Sequence, residues 1–270
     1  MGAYVSLPGV QTWYEVEGDG EPLLLLHGGL CTNETWGGQR ADLAAQYRVY
    51  LPERRAHGHT PDVEGPLSYR DMADDTISFL ETTVGGSAHL VGWSDGAIVA
   101  LLVAIARPDL VRKVVAIGAN FLPGPQSIAD PRMLDHMSAD APDMALFREL
   151  YEAASPDGAA HWPVVVGKVM EMIRTQPDIS TDDLARISAP TLVVVGDDDL
   201  VTLEHTIALY RAVPDSQLAV VPGASHALPV EKPEAVNRLI LDFLTMDPSP
   251  TIFPVRRATA APGGQGPGLT

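Results

Sequence analysis

Ala88-His89-Leu90-Val91-Gly92-Trp93-Ser94-Asp95-Gly96-Ala97-Ile98-Val99-Ala100 is the stretch that decides the fold. Residues 88–91 form a short apolar run, which suits a strand buried on both faces. Residues 97–106 carry a helical run with no breaker in its first ten positions. Between them stands a G-x-S-x-G. A strand that turns this sharply into a helix needs small residues at both flanks, because Cβ atoms there would collide with neighbouring backbone. Such a turn lifts the Ser94 hydroxyl above the sheet, at a helix N-terminus.

Outward from that turn the same rhythm repeats. Residues 22–26 (Pro-Leu-Leu-Leu-Leu), 47–51, 111–118 and 190–195 are further buried-strand runs, and 217–221 is another candidate. Helical periods occupy 69–83, 96–106, 203–212 and 233–244. Strands alternating with helices predict an α/β fold, with a mostly parallel sheet flanked by helices. Residues 10–17 alternate in polarity and are expected as an antiparallel edge strand. The rhythm breaks between Phe121 and Ala189. The one strand-like run there is Val164-Val165-Val166, while 146–154 and 163–174 have helical spacing and the segment is rich in methionine. The expected organisation is a core of 1–120 and 190–246, a helical lid of 121–189, and a Pro/Gly/Ala/Thr-rich tail, 247–270, expected to be disordered.

Composition narrows the partners. Of 270 residues, 18 are Lys or Arg and 35 are Asp or Glu, a formal net charge of −17. A surface so acidic repels phosphate backbones and anionic lipid, which argues against nucleic acid or a membrane as partner. A single cysteine, Cys31, excludes an internal disulfide and a multi-cysteine metal site. His57 and His59 lack the further ligands a metal would need, so neither metal nor cofactor is expected. The beginning of the chain shows no basic segment followed by an apolar one, and the apolar runs are too short to span a bilayer. A cytoplasmic monomer or homodimer acting on a small molecule is the expectation.

A serine hydroxyl needs a base. His226, in Pro222-Gly223-Ala224-Ser225-His226, falls just past the last expected strand, at the same carboxyl edge of the sheet as Ser94. The base needs an orienting carboxylate, and Asp197, Asp198 and Asp199 follow the strand 190–195. A developing oxyanion needs two N–H donors. The Asp95 backbone could supply one and the loop His27-Gly28-Gly29-Leu30 the other. Leu30, Trp93, Phe121, Leu122, His161 and Trp162 are expected to line the substrate pocket. Asp95 itself poses a problem, since a carboxylate beside a forming oxyanion opposes it. It must point away, pair with a protein cation, or await a cationic group on the substrate.

His27-Gly28-Gly29, Gly92-Trp93-Ser94-Asp95-Gly96, Gly196-Asp197-Asp198-Asp199 and Gly223-Ala224-Ser225-His226, in this order and spacing, resemble the α/β-hydrolase superfamily over about residues 11–244. The segment Glu53-Arg54-Arg55-Ala56-His57-Gly58-His59-Thr60 resembles that family's D-x-R-G-x-G-x-S loop, with Ala56 where glycine is usual. The G-W-S-D-G turn, with Gly118-Ala119-Asn120 after the next strand, is similar to the valacyclovir-hydrolase-like subgroup. The resemblance implies an α/β-hydrolase fold whose lid is 121–189. It implies Ser94 as nucleophile, Asp199 as triad acid with Asp197 as rival, His226 as base, and Gly29 and Asp95 as oxyanion donors. The implied activity is cofactor-independent hydrolysis of a small carboxylic ester, lactone or activated amide through an acyl-enzyme. C–C bond hydrolysis or perhydrolysis on the same triad is the alternative, and a non-catalytic small-ligand receptor is the alternative of another class. The subgroup likeness favours a substrate ammonium opposite Asp95.

Overall fold

The structure, a computed structural model, describes residues 2–130, 132–246 and 252–253; the expected disordered tail lies outside them except for those last two. Its strands are β1 (Gly2–Leu7), β2 (Val10–Glu17), β3 (Glu21–Leu26), β4 (Tyr47–Pro52), β5 (Ala88–Trp93), β6 (Val111–Ile117), β7 (Thr191–Asp198) and β8 (Ser216–Ser225). They form one sheet in the order β1-β2-β4-β3-β5-β6-β7-β8. From β4 to β8 every neighbouring pair is parallel, and the β1–β2 and β2–β4 pairs are antiparallel.

The four leucines of β3 explain why the parallel strands read as unbroken apolar runs. Each is fully buried, yet Leu24 and Leu26 join one core while Leu23 and Leu25 join the other. Successive side chains of a strand leave on opposite faces, and both faces are covered by helices. On one face lie the helices Tyr69–Phe79 and Asp95–Ala106, through residues such as Met72, Phe79, Ile98 and Leu101. On the other lies the helix Pro233–Thr245, through Val236, Ile240 and Phe243.

One strand expectation changes. Residues 10–17 form a strand, but β1 lies outside it, so β2 is not the edge. The β1 run is short and half exposed; Leu7 is its one buried side chain, and the exposed Tyr4 ring meets Trp13 across the pair at 4.9 Å between centroids. Val164-Val165-Val166 lies in the helix Trp162–Thr175, where Val165, Val166 and Val169 are buried and Val164 is exposed. Burial at i, i+1 and i+4 is a helical face, which three consecutive valines alone do not distinguish from a strand.

Residues 121–189 contribute no strand among the described residues; their longer helices are Ala145–Ala154 and Trp162–Thr175. The segment is tied to the rest along its length, for instance by Ala129 N–H to Leu200 O and Thr202 N–H to Ser127 O, both 2.8 Å, and by Tyr69 N–H to Gln176 Oε1 at 3.1 Å. Ile179 N–H donates to Phe121 O at 2.9 Å, closing its base. Asp62, on a loop of the sheet-bearing part, accepts from Lys168 Nζ at 2.7 Å and faces His161 Nε2 at 2.8 Å.

Candidate active site

All six parallel strands point their carboxyl ends to one edge, and the loops there carry the chemistry. Ser94 has φ 55° and ψ −121°, a left-handed conformation rare for a residue with a Cβ. The turn is held by Ser94 N–H donating to Ile117 O at 2.8 Å and by Ser94 O accepting from Ala97 N–H at 2.8 Å. Both flanking glycines are sterically required. A Cβ on Gly92 would fall on the carbonyl of Gly96, and one on Gly96 would fall on the carbonyl of Leu26.

His226 Nε2 lies 2.9 Å from Ser94 Oγ, and His226 Nδ1 lies 2.7 Å from Asp199 Oδ1. A carboxylate can only accept, so Nδ1 carries the proton and Nε2 is free to accept the serine proton. The Asp199 side chain is fully buried. Its loop feeds it further donors, Val201 N–H to Oδ1 at 2.9 Å and Gly196 N–H to Oδ2 at 3.3 Å. The neighbouring carboxylates are used otherwise. Asp197 Oδ1 accepts from Gly223 N–H at 2.6 Å and Ala224 N–H at 3.2 Å, tying β7 to the end of β8, and Asp198 is exposed.

Two supports of this arrangement escaped the sequence. Trp93 Nε1 donates to His226 O at 2.8 Å, fixing the backbone of the base. Gly118 has φ +59°, and a Cβ there would lie 2.9 Å from His226 Cε1. The signal was available: a glycine closes β6 at the same edge of the sheet.

Gly28, Gly29, Trp93, Ser94, Asp95 and His226 border one cavity of about 120 Å³. Its far wall is apolar and comes largely from residues 121–189, through Ile128, Leu134, Met137, Phe147 and Ile173. Of the residues expected there, Trp93 lines it, and five stand elsewhere. Leu30 is turned into the core by a left-handed backbone, φ 57°. Phe121 stacks on His205 with centroids 4.1 Å apart. Leu122 is half-buried against the core, and its carbonyl accepts from Asn120 Nδ2. His161 is drawn to Asp62, and Trp162 is buried with Nε1 donating to Ala139 O at 2.9 Å. Polar partners outside the cavity claim the last two, and spacing along a chain does not report them.

Asp95 is 3% exposed and does not point away. Tyr69 Oη donates to its Oδ1 at 2.9 Å, while Oδ2 has no hydrogen-bond partner and packs against Gly29. Burial pushes this carboxyl up, and the Arg54 charge and the Tyr69 hydroxyl oppose that. Arg54 is itself buried, with Asp95 the leading charge that sustains its protonated form against desolvation. A buried cation in the loop after β4 thus acts on Asp95 through its field, while its own hydrogen bonds go to the carbonyls of His27 and Gly28.

The same loop departs from the usual pattern at Ala56, which adopts φ 66° where glycine would be unstrained. Around it Glu53 accepts from His59 N–H at 2.6 Å and Asn33 N–H at 3.2 Å, and Arg55 grips Asp75 with two bonds of 2.8 Å. Burial lowers the basicity of His57 to about 3, so it is neutral. The Cys31 thiol is pushed up to about 12 by burial and stays protonated, with no nucleophilic character. Among the described residues no group of three or more His, Cys, Asp or Glu is placed to hold a metal ion, and no helix is long and apolar enough to cross a membrane.

A sequence profile of the alpha/beta hydrolase family matches residues 23–239. The serine hydrolase BPHL of Homo sapiens is 30% identical over 255 residues, covering 90% of this chain and 86% of its own. An (E)-2-((N-methylformamido)methylene)succinate hydrolase of Acinetobacter baylyi is 25% identical, covering 87% and 94%. Among solved structures, a meta-cleavage product hydrolase of Pseudomonas fluorescens superposes with a TM-score of 0.70 at 23% identity, covering 87% and 94%.

Proposed function

The chain belongs to the alpha/beta hydrolase family, and from that premise we propose that it is a serine hydrolase that cleaves small carboxylic esters, lactones or activated amides through an acyl-enzyme. The observation that carries this reading is the unbroken relay from Asp199 Oδ1 through the His226 ring to Ser94 Oγ, with links of 2.7 and 2.9 Å. His226 Nε2 takes the serine proton as Oγ attacks the carbonyl carbon. Asp199 holds the ring in the required tautomer and stabilises the imidazolium. The N–H groups of Gly29 and Asp95 receive the oxyanion. Collapse expels the alcohol or amine, which takes the proton from His226, and a water activated by the same nitrogen releases the acid.

The helical segment 121–189 acts as the lid that sets substrate size, since it supplies most of the apolar wall. That wall, and the burial of Asp95 against the Tyr69 hydroxyl, favour neutral substrates with an apolar acyl group over those bearing an ammonium.

A fluorophosphonate probe is expected to label the wild type on Ser94 and to leave a folded Ser94→Ala variant unlabelled. Label on the variant, or none on the wild type, would remove the reading. A panel of short esters, lactones and a vinylogous diketone then separates acyl transfer from C–C bond hydrolysis, with ester or lactone turnover expected to be the faster.

A further inference from the structure

Arg54 occupies the unspecified position of the loop after β4, and nothing in the proposed reaction uses it. Its location is nevertheless specific. The guanidinium is buried, with Nη1 donating to His27 O and Nη2 donating to Gly28 O at 3.0 Å. Its backbone N–H donates to His27 Nε2 at 3.2 Å. With Nε2 accepting, the neutral ring carries its proton on Nδ1, which lies 2.8 Å from Gly28 O. Burial, with the Arg54 charge, keeps His27 far below the usual imidazole range, so the ring is neutral. Cys31 N–H adds a longer contact to the same oxygen at 3.4 Å. The Gly28 carbonyl is thus held firmly on the side of Arg54.

The consequence follows from the geometry of one peptide unit. The C=O of Gly28 and the N–H of Gly29 belong to the same plane and, in a trans peptide, point in opposite directions. Fixing the oxygen fixes the hydrogen. Glycines at 28 and 29 leave this unit free to rotate, with no Cβ to bias it. A flip would aim a carbonyl oxygen, instead of a donor, at the reaction centre.

We infer that Arg54 is a positioning residue: by holding the carbonyls of His27 and Gly28 it turns the 28–29 peptide so that Gly29 N–H faces the cavity beside Ser94. This rests on the proposed role of Gly29 as an oxyanion donor. Asp95 packs its unpartnered Oδ2 against Gly29, so the same peptide is confined from two sides, by a cation at its oxygen and a carboxylate at its α-carbon.

The test compares the wild type with Arg54→Gln and Arg54→Lys. Four quantities are read: kcat and KM for a neutral ester, the affinity of a trifluoromethyl ketone whose hemiketal carries an oxyanion, and the affinity of the product acid. Loss of one oxyanion donor costs about 100-fold in kcat. Arg54→Gln should lose about that factor in kcat and the same factor in ketone affinity, with KM and acid affinity near wild type. Arg54→Lys, which keeps the charge and a single-point donor, should recover part of both. A purely structural role would not make kcat and ketone affinity fall together at constant KM. Wild-type turnover in a folded Arg54→Gln variant would overturn the inference, as would failure of both variants to fold, which would make Arg54 an ordinary core residue. The role of Gly29 is read separately in the wild type, where its amide proton should move downfield when the ketone binds. An unmoved Gly29 resonance would withdraw the oxyanion assignment itself, whatever the Arg54 variants do.

Discussion

The turn around Ser94 and the helical segment 121–189 meet at one cavity, yet they are built on opposite terms. In the turn, each residue answers to a backbone constraint within a few ångströms. Gly92 and Gly96 are there because no Cβ fits, and Ser94 takes a strained φ because strand and helix leave it no other. In the segment, apolar side chains fill volume, and a handful of polar contacts decides which of them reach the cavity. Trp162 is held by Ala139, His161 and Lys168 by Asp62, and Phe121 by His205. Rigid backbone geometry specifies identities, whereas packing specifies only size and polarity.

The largest effect that could break this contrast lies in the acidic triplet. Asp199→Asn should reduce kcat by about 10⁴-fold, the cost of losing the carboxylate that sets the histidine tautomer. Asp197→Asn should leave kcat near wild type and cost about 1 kcal/mol of stability, since it accepts two backbone N–H groups and no more. Steady-state kinetics and chemical denaturation of both variants check this, and a crippled Asp197→Asn would reverse the roles.

Next come two aromatic residues of the helical segment. Trp162→Ala should cost about 3–5 kcal/mol of stability, because a fully buried indole leaves a void, while selectivity among acyl groups stays constant. Phe147→Ala, in the cavity wall, should instead change the ratio of kcat/KM between bulky and short acyl esters by about tenfold. If Trp162→Ala moves that ratio and Phe147→Ala does not, the cavity wall is assigned to the wrong face.

Asp95→Asn keeps the backbone N–H and removes the charged acceptor of the Tyr69 hydroxyl. Stability should fall by about 1 kcal/mol as that buried bond weakens. A matched pair of esters, with and without an α-amino group, should change in kcat/KM by the same factor. A selective loss on the amino ester would show that the carboxylate recognises a substrate ammonium.

The smallest effect concerns the stitch at Asp62. Burial alone would raise this carboxyl, but Lys168 and His161 hold it below its ordinary value. A group depressed in the folded state contributes stability above its unfolded pKa, near 3.9, and loses it as pH falls through the lower folded value. Hydrogen exchange in the helix Trp162–Thr175 should therefore accelerate below about pH 4 in the wild type. In Asp62→Asn it should already be faster at neutral pH and lack that acid step.

The same contrast explains what could be read from the sequence. Strands β3 to β7 were legible because double-sided burial leaves unbroken apolar runs, β8 only as a candidate because it is a half-exposed edge, and Ser94 and His226 because both sit at the carboxyl edge those runs define. Strand β1 was not, since a half-exposed edge strand has neither run nor clean alternation. The pairing of His226 with one of three aspartates needed the bend after β7, which places Asp199 inward and Asp198 in solvent. Arg54 was invisible because its bonds go to backbone carbonyls, and a residue's backbone partners leave no mark on sequence pattern. Phe147 and Ile128 were missed for a different reason. Periodicity gives the apolar face of a helix but not the neighbour it meets.

The hydrogen bond between His226 and Ser94 joins residues 132 positions apart. During synthesis, the nucleophile therefore leaves the ribosome long before its base and stays an ordinary alcohol until β8 has paired with β7. Closing so long a loop is among the slowest steps available to a folding chain. On the proposed reading the nascent protein is latent, and the reactivity of Ser94 becomes a clock for the completion of the sheet. In refolding from denaturant, recovery of helical circular dichroism should precede recovery of phosphonate labelling, with the interval measuring the time taken to add the last strand.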